Sequence, residues 1–167
     1  MSLQRLERRQ VVQGDLGEVF RFFESPDNLE LITPRWLNFQ VLESSHDRVR
    51  AGTEISYRLK WYGLPISWRS RISEYALNER FVDEMIGGPY KTWYHTHLFR
   101  EVPDGVEIQD IVEYELPFGL LGDAVHSTVV GRQLAAIFDY RVRTIRTTFG
   151  GSQSEGVGEA HPPGTLE

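Results

Sequence analysis

The sequence predicts an α+β fold: a curved antiparallel sheet of seven strands around one long C-terminal helix, with two short helices after the first strand. Three observations carry this prediction. Apolar residues recur with a period of two through successive segments between Asn38 and Leu116, the signature of half-buried strands. After Pro117-Phe118-Gly119 the period becomes helical and stays so to Phe149. Helix-start signals before the strands are confined to Asp15–Pro34 and leave room only for short helices. Hairpin-linked strands with helices on one face define the class, and a twisted sheet curling round one helix readily leaves a cavity between them.

Each element follows from its residues. Leu3–Val12 is rich in arginine and fits an edge strand. Asp15 and Glu18 stand at capping-box spacing before Val19, Phe20, Phe22 and Phe23, which predicts a helix over Leu16–Glu24. Ser25 as cap and Pro26 in the first turn start a second helix, and Pro34 ends it. Strands follow at Phe39–Leu42, at Ile55–Trp61 and at Trp68–Ile72. In the latter two, Ile55, Tyr57, Leu59, Trp61, Trp68 and Ile72 alternate with charged or polar residues. Phe81–Ile86, Thr92–Arg100 and Val106–Leu116 complete the sheet, the last two joined by an Asp104-Gly105 turn after Pro103. The helix then carries one stripe through Leu120, Ala124, Ser127, Gly131, Leu134, Phe138, Val142, Ile145 and Phe149. Arg141, Arg143 and Arg146 sit towards its C-terminal end, where the dipole favours cations, and Gly150 stops it.

Composition bounds the function. The 167 residues suit one domain, and the absence of cysteine excludes disulfide scaffolds, thiolate metal sites and cysteine nucleophiles. With 24 acidic against 18 basic side chains, the net charge of −6 argues against nucleic acid as a partner. No apolar run of bilayer length and no apolar leader segment occur, so a cytoplasmic protein without integral membrane association is expected. Aromatics stop at Phe149, and the Gly-, Ser- and Pro-rich segment 150–167 is expected to be a disordered tail to a single domain over 1–149. Three of the six excess negative charges belong to that tail, through Glu155, Glu159 and Glu167.

A family resemblance joins these elements. Val19-Phe20-Arg21-Phe22-Phe23, Ser25-Pro26-Asp27-Asn28-Leu29 and Thr33-Pro34 are followed by Gly88-Pro89-Tyr90 leading into Trp93, His95, His97 and Phe99. Asp110, Val112 and Tyr114 then precede Leu116-Pro117-Phe118-Gly119, and Phe138-Asp139-Tyr140-Arg141 closes the set. In order and spacing these residues resemble the helix-grip SRPBCC superfamily of START-like and birch-pollen-allergen-like proteins, within it the bacterial polyketide cyclase/dehydrase-like branch. The resemblance spans Leu3 to Phe149. It implies a hydrophobic ligand cavity between sheet and long helix, without fixing one chemistry.

Strand parity proposes the cavity's polar groups. Trp93, His95, His97 and Phe99 share a face, as do Val106, Ile108, Asp110, Val112, Tyr114 and Leu116. A two-residue Asp104-Gly105 turn would set Phe99 opposite Asp110, His97 opposite Val112 and His95 opposite Tyr114, with His97 diagonal to Asp110. This patch can satisfy itself as His95–Tyr114 and His97–Asp110 pairs, or orient the polar end of a ligand. It can also perform acid–base catalysis through His97, Asp110 and Tyr114. His95, His97 and Asp110 offer at most three metal ligands, and neither a metal nor another cofactor is expected. Trp36, Tyr57, Trp68, Trp93 and Phe99 would supply apolar area. Ser127 and Gly131, on the inner helix stripe, would leave volume for a ligand. Arg58, Lys60, Arg69 and Arg71 form an outward basic stripe for which cross-strand ion pairing is the expectation.

The function these readings favour is binding or transport of a hydrophobic small molecule such as a lipid, quinone or polyketide. The alternatives are a cyclase, aromatase or dehydratase on a polyketide-like substrate, and a protein- or ribosome-interaction module.

Overall fold

Asp15 caps the first helix as its position predicts: its Oδ1 accepts from the backbone N–H of Gly17 at 2.9 Å and of Glu18 at 3.2 Å. The helix so started, α1 (Leu16–Phe23), buries Val19, Phe20 and Phe23. In the computed structural model, which describes residues 3–117 and 129–152, it follows strand β1 (Gln4–Val12). The predicted second helix shrinks to one turn, α2 (Asn28–Leu31), with Asp27 rather than Ser25 in the cap position and no side-chain cap bond. Thr33 Oγ1 donates to the carbonyl of Leu29 at 2.6 Å and Pro34 has no N–H to offer, so the chain passes instead into a short 3₁₀ turn at Arg35–Leu37.

Six strands then run in sequence: β2 (Gln40–Ser44), β3 (Glu54–Trp61), β4 (Leu64–Ala76), β5 (Arg80–Gly87), β6 (Thr92–Val102) and β7 (Gly105–Glu115). Each pairs antiparallel with the next, and β1 returns to pair with β7. The seven predicted strands are thus present. A two-residue eighth, β8 (Gly151–Ser152), pairs with Val11 and Val12, just inside the segment read as tail; residues 153–167 lie outside the described residues. Helix α3 (Gly131–Phe149) lies across the concave face against β1, with Leu134, Phe138, Val142 and Ile145 buried. The predicted start of this helix, from Leu120, falls largely outside the described residues.

The β6–β7 register differs from expectation by two positions. Val102 pairs with Gly105, so Pro103 and Asp104 form the turn, and His97 stands opposite Asp110, His95 opposite Val112, Trp93 opposite Tyr114. Proline's fixed φ suits the first turn position. Gly105 belongs in the ladder because its φ is +136° and a Cβ there would sit 2.1 Å from the carbonyl oxygen of Val12. A shift of two leaves every side chain on its predicted face and changes only its partners. On the outer face, Arg69 and Arg71 both reach Glu54, and Arg58 bonds Gln40, so three members of the basic stripe are engaged across strands.

Candidate functional site

Between the concave sheet and α3 lies a cavity of about 530 Å³. Its walls are apolar: Leu59 and Trp61 from β3, Trp68 from β4, Trp93 from β6, Leu134 and Phe138 from α3. Tyr57 also lines it, but its hydroxyl is spent on Ser70 Oγ at 2.8 Å, and the indole N–H of Trp68 donates to the same oxygen at 2.9 Å. Burial pushes the Tyr57 hydroxyl well above its usual pKa, so it stays protonated. At one side of the cavity Trp61 Nε1 donates to Gln133 Oε1 of α3, tying the sheet to the helix.

The cavity has one polar corner, lined by Asp83, His95, His97 and Arg141. Behind the histidines lies Asp110, 1% exposed. Its Oδ1 accepts from His95 Nε2 at 2.8 Å and lies 3.3 Å from His97 Nδ1, while its Oδ2 accepts from Arg141 Nε at 3.2 Å. Arg141 Nη2 reaches His97 Nδ1 at 3.2 Å. Burial alone would raise the Asp110 pKa, but the Arg141 guanidinium and the neighbouring histidines outweigh it and hold the carboxyl well below its usual range. The His97 pKa is also lowered, which for an imidazole favours the uncharged form: burial first, then the neighbouring His95, hold it well below an ordinary histidine pKa. The rings of His95 and His97 lie 3.7 Å apart, and Phe81 stacks on His97 at 4.2 Å.

Asp83 is the contrasting carboxylate. It pairs with His95 across β5–β6, and its Oδ1 is buried without a hydrogen-bond partner. Burial raises its pKa, against the opposing pull of a hydrogen bond to Ser70 and of the His95 and Arg141 charges.

Of the residues singled out in the sequence, Tyr57, Trp68, Trp93, His95 and His97 line the cavity. Asp110 supports the lining from behind. Phe99 belongs to the core instead, edge-on to Phe20 and Phe23 at 4.9 and 5.1 Å. Tyr114 is 1% exposed and packs on Trp93 and Tyr90 rather than reaching the cavity. The expected His95–Tyr114 pair is therefore replaced by His95–Asp110, a direct result of the register. Trp36 is 54% exposed on the 3₁₀ turn and does not line the cavity, because that turn presents Leu37 inward in its place. Gly131 opens α3 rather than interrupting it; Val130, Gln133 and Leu134 beside it line the cavity. Ser127 lies outside the described residues.

Two functional residues escape the sequence reading. Arg141 has a ready explanation in its charge near the helix end, yet it is only 6% exposed and points inward. Its spacing carries the signal: it lies three after Phe138 and four before Ile145, on the buried stripe. Asp83 falls on the same parity as Phe81 and Met85, the inner face of β5. A metal at His95, His97 and Asp110, whose ligand atoms lie within 4.8 Å of one another, would have to displace Arg141 from both Asp110 and His97. The cluster is better described as a charge-balanced hydrogen-bond network than as a cation site.

No family model and no curated protein matches the sequence. Solved structures match its fold. Protein CV1439 from Chromobacterium violaceum superposes with a TM-score of 0.68 at 17% identity, over 89% of this chain and 99% of that one. TTHA0849 from Thermus thermophilus gives 0.66 at 16% identity, over 87% and 95%. Major latex-like protein 151 from Panax ginseng gives 0.65 at 12% identity, over 88% and 97%. This chain therefore has the helix-grip fold, in which an antiparallel sheet wraps one face of a long C-terminal helix. Among the described residues no helix is long and apolar enough to cross a membrane.

Proposed function

We propose that this protein binds a hydrophobic small molecule in the cavity between its sheet and α3, as a carrier or receptor of the polyketide cyclase/dehydrase-like type. The observation that carries the reading is the cavity itself: about 530 Å³ walled by tryptophans and aliphatic side chains, with its ionisable histidine, aspartate and arginine groups gathered at one corner. That is the usual anatomy of a small-molecule site, where apolar area supplies affinity and a few convergent groups set orientation. The binding reading is preferred over acid–base turnover because Tyr114, the oxyanion donor that reading needs, packs on Trp93 and Tyr90, and because His95 and His97 are already committed to Asp110 and Arg141.

The test is native mass spectrometry of protein purified from its own host, with displacement of the neutral fluorophore N-phenyl-1-naphthylamine as a second readout. A co-purifying apolar molecule, or displaceable fluorophore, is expected. Leu134→Trp, which projects an indole into the cavity from α3, should abolish both while leaving the far-ultraviolet circular dichroism unchanged. Equal binding by this variant and the parent would refute the cavity as the site.

A further inference from the structure

Apolar side chains that the fold leaves in solvent gather at one end of the sheet. Leu31, Trp36, Tyr62 and Leu64 are all more than half exposed, Tyr62 at 74%. Tyr62 and Leu64 belong to the β3–β4 turn. Strand β2 begins opposite Arg58, so the 3₁₀ turn that carries Trp36 lies towards that same turn, and it packs on β3. Trp61 joins the first turn of α3 to this end through Gln133. The cavity reaches it as well: Ile32, Leu37, Trp61 and Ile66, each within two residues of an exposed one, line it. At the tip, Tyr62 and Gly63 have φ of +47° and +81°, a left-handed pair for which Asn-Gly is the favoured sequence. A bulky residue there is strained, and the Tyr62 ring lies edge-on to Trp61 at 5.3 Å with most of its surface in solvent.

Charge follows the same geography. The chain carries −6 overall, yet no Asp or Glu occurs from Leu31 to Leu42 or from Ile55 to Ile72. Arg35, Lys60 and, on α3, Arg132 are exposed around this rim. Lys60 is the member of the outer basic stripe that has no cross-strand partner among the described residues. Of the described carboxylates at this end, Glu115 is paired with Lys91 and Glu113 with Arg5, and Glu30 accepts the N–H of Val41.

We infer that this rim docks on the surface of a lipid bilayer that carries anionic headgroups, with Trp36 and Tyr62 at the interface and Arg35 and Lys60 among the headgroups. Trp and Tyr favour that boundary, apolar on one side and wet on the other, and each nearby Lys or Arg adds attraction to anionic lipid. A bilayer is chosen over a protein partner because the exposed groups sit on two turns beside the cavity lining, where an apolar cargo passes to or from hydrocarbon without crossing water. That choice rests on the binding function proposed above.

The experiment is co-sedimentation of the full chain with vesicles of phosphatidylcholine alone and of phosphatidylcholine with about one third phosphatidylglycerol. Binding to the anionic vesicles is expected, and at least tenfold weaker binding to the others. Trp36→Gln/Tyr62→Asn should lower affinity for the anionic vesicles roughly tenfold or more, the scale of two aromatic side chains returned to water. Asn suits the left-handed position, so this variant keeps the turn. Neither residue lines the cavity, so in vesicle-free buffer it should bind N-phenyl-1-naphthylamine as the parent does. Arg35→Gln/Lys60→Gln should weaken vesicle binding by a similar factor, and the loss should shrink at high salt. No binding to anionic vesicles, which would leave a protein as the occupant, would overturn the inference. So would undiminished binding by Trp36→Gln/Tyr62→Asn, or a dimer in sedimentation velocity that this variant dissociates, since a second copy would then cover the rim. Fluorophore binding without vesicle binding refutes the docking alone; vesicle binding without fluorophore binding leaves the docking standing and refutes the cavity function.

Discussion

Replacing Arg141 by Met tests whether the polar corner is a charge-balanced unit. The guanidinium contacts both Asp110 Oδ2 at 3.2 Å and His97 Nδ1 at 3.2 Å, in a site where Arg141 is 6% and Asp110 1% exposed. Met roughly keeps the apolar stem and removes the charge. Asp110 is then a buried carboxylate without its cation, a change that costs about 3–5 kcal/mol. For a domain of this length each kcal/mol moves Tm by about 2–4 °C, so a loss of roughly 6–20 °C is expected.

The pH dependence separates this loss from one of packing alone. In the parent, the folded pKa of Asp110 lies below its ordinary value of 3.8, so the group contributes stability above that pH and loses it as pH falls through the folded pKa. In Arg141→Met burial is unopposed by the guanidinium and the shift reverses, so ionised Asp110 opposes folding. The gap between the two proteins should be full at neutral pH, begin to narrow as pH falls through the variant's raised Asp110 pKa, and narrow further below 3.8 as the parent's Asp110 takes up its proton. Urea denaturation from pH 7 to pH 3.5 measures it, and the double variant Asp110→Asn/Arg141→Met should recover part of the loss seen at pH 7. A variant within about 1 kcal/mol of the parent, or a double variant that is strictly additive, would refute the pairing.

Other consequences are local. Asp83→Asn should raise stability at neutral pH: the folded pKa of Asp83 is raised, so its stability contribution is full below the unfolded value of 3.8 and declines as pH rises through the folded one. Thermal melts at pH 7.5 and pH 3.5 test this, and an equal gain at both would count against burial as the cause. Gly105→Ala should cost ~2 kcal/mol or more in urea titrations, because its Cβ meets the Val12 carbonyl and φ is +136°; a neutral result would mean the β6–β7 turn is built differently. Asp15→Ala removes the bonds to Gly17 and Glu18 and should cost about 1 kcal/mol, with Asp15→Ser retaining most of it.

Which parts of this are legible in the sequence follows from the range of the forces involved. Strand faces are set by alternation along one segment, so all seven strands and the inward direction of Tyr57, Trp68, Trp93, His95 and His97 can be read directly. Register depends on one turn. There Asp-Gly suggests the turn centre, whereas a long-range contact between Gly105 and the Val12 backbone places the glycine in the ladder. That single fact moves Asp110 from Phe99 to His97. Arg141 is hidden by its type, because an arginine near a helix end has a plausible exposed role, and only its place on the stripe of Phe138 and Ile145 argues otherwise. Trp36 is hidden for the opposite reason: a large aromatic suggests burial, but a three-residue 3₁₀ turn has room to bury one side chain, and Leu37 takes it.

The two carboxylates of the corner differ most in how the fold compensates their burial. Both lie on inner strand faces beside the same histidines, yet their environments push them in opposite directions: Asp110 down through Arg141, Asp83 up through burial. Only Asp110 has its hydrogen-bond capacity met by protein groups, and it is the one set back from the cavity lining. A buried oxygen left unmatched costs stability that packing elsewhere must offset. Asp110 thus fixes the shape of the corner, whereas Asp83 is a carboxylate whose burial works against the folded state once it is ionised.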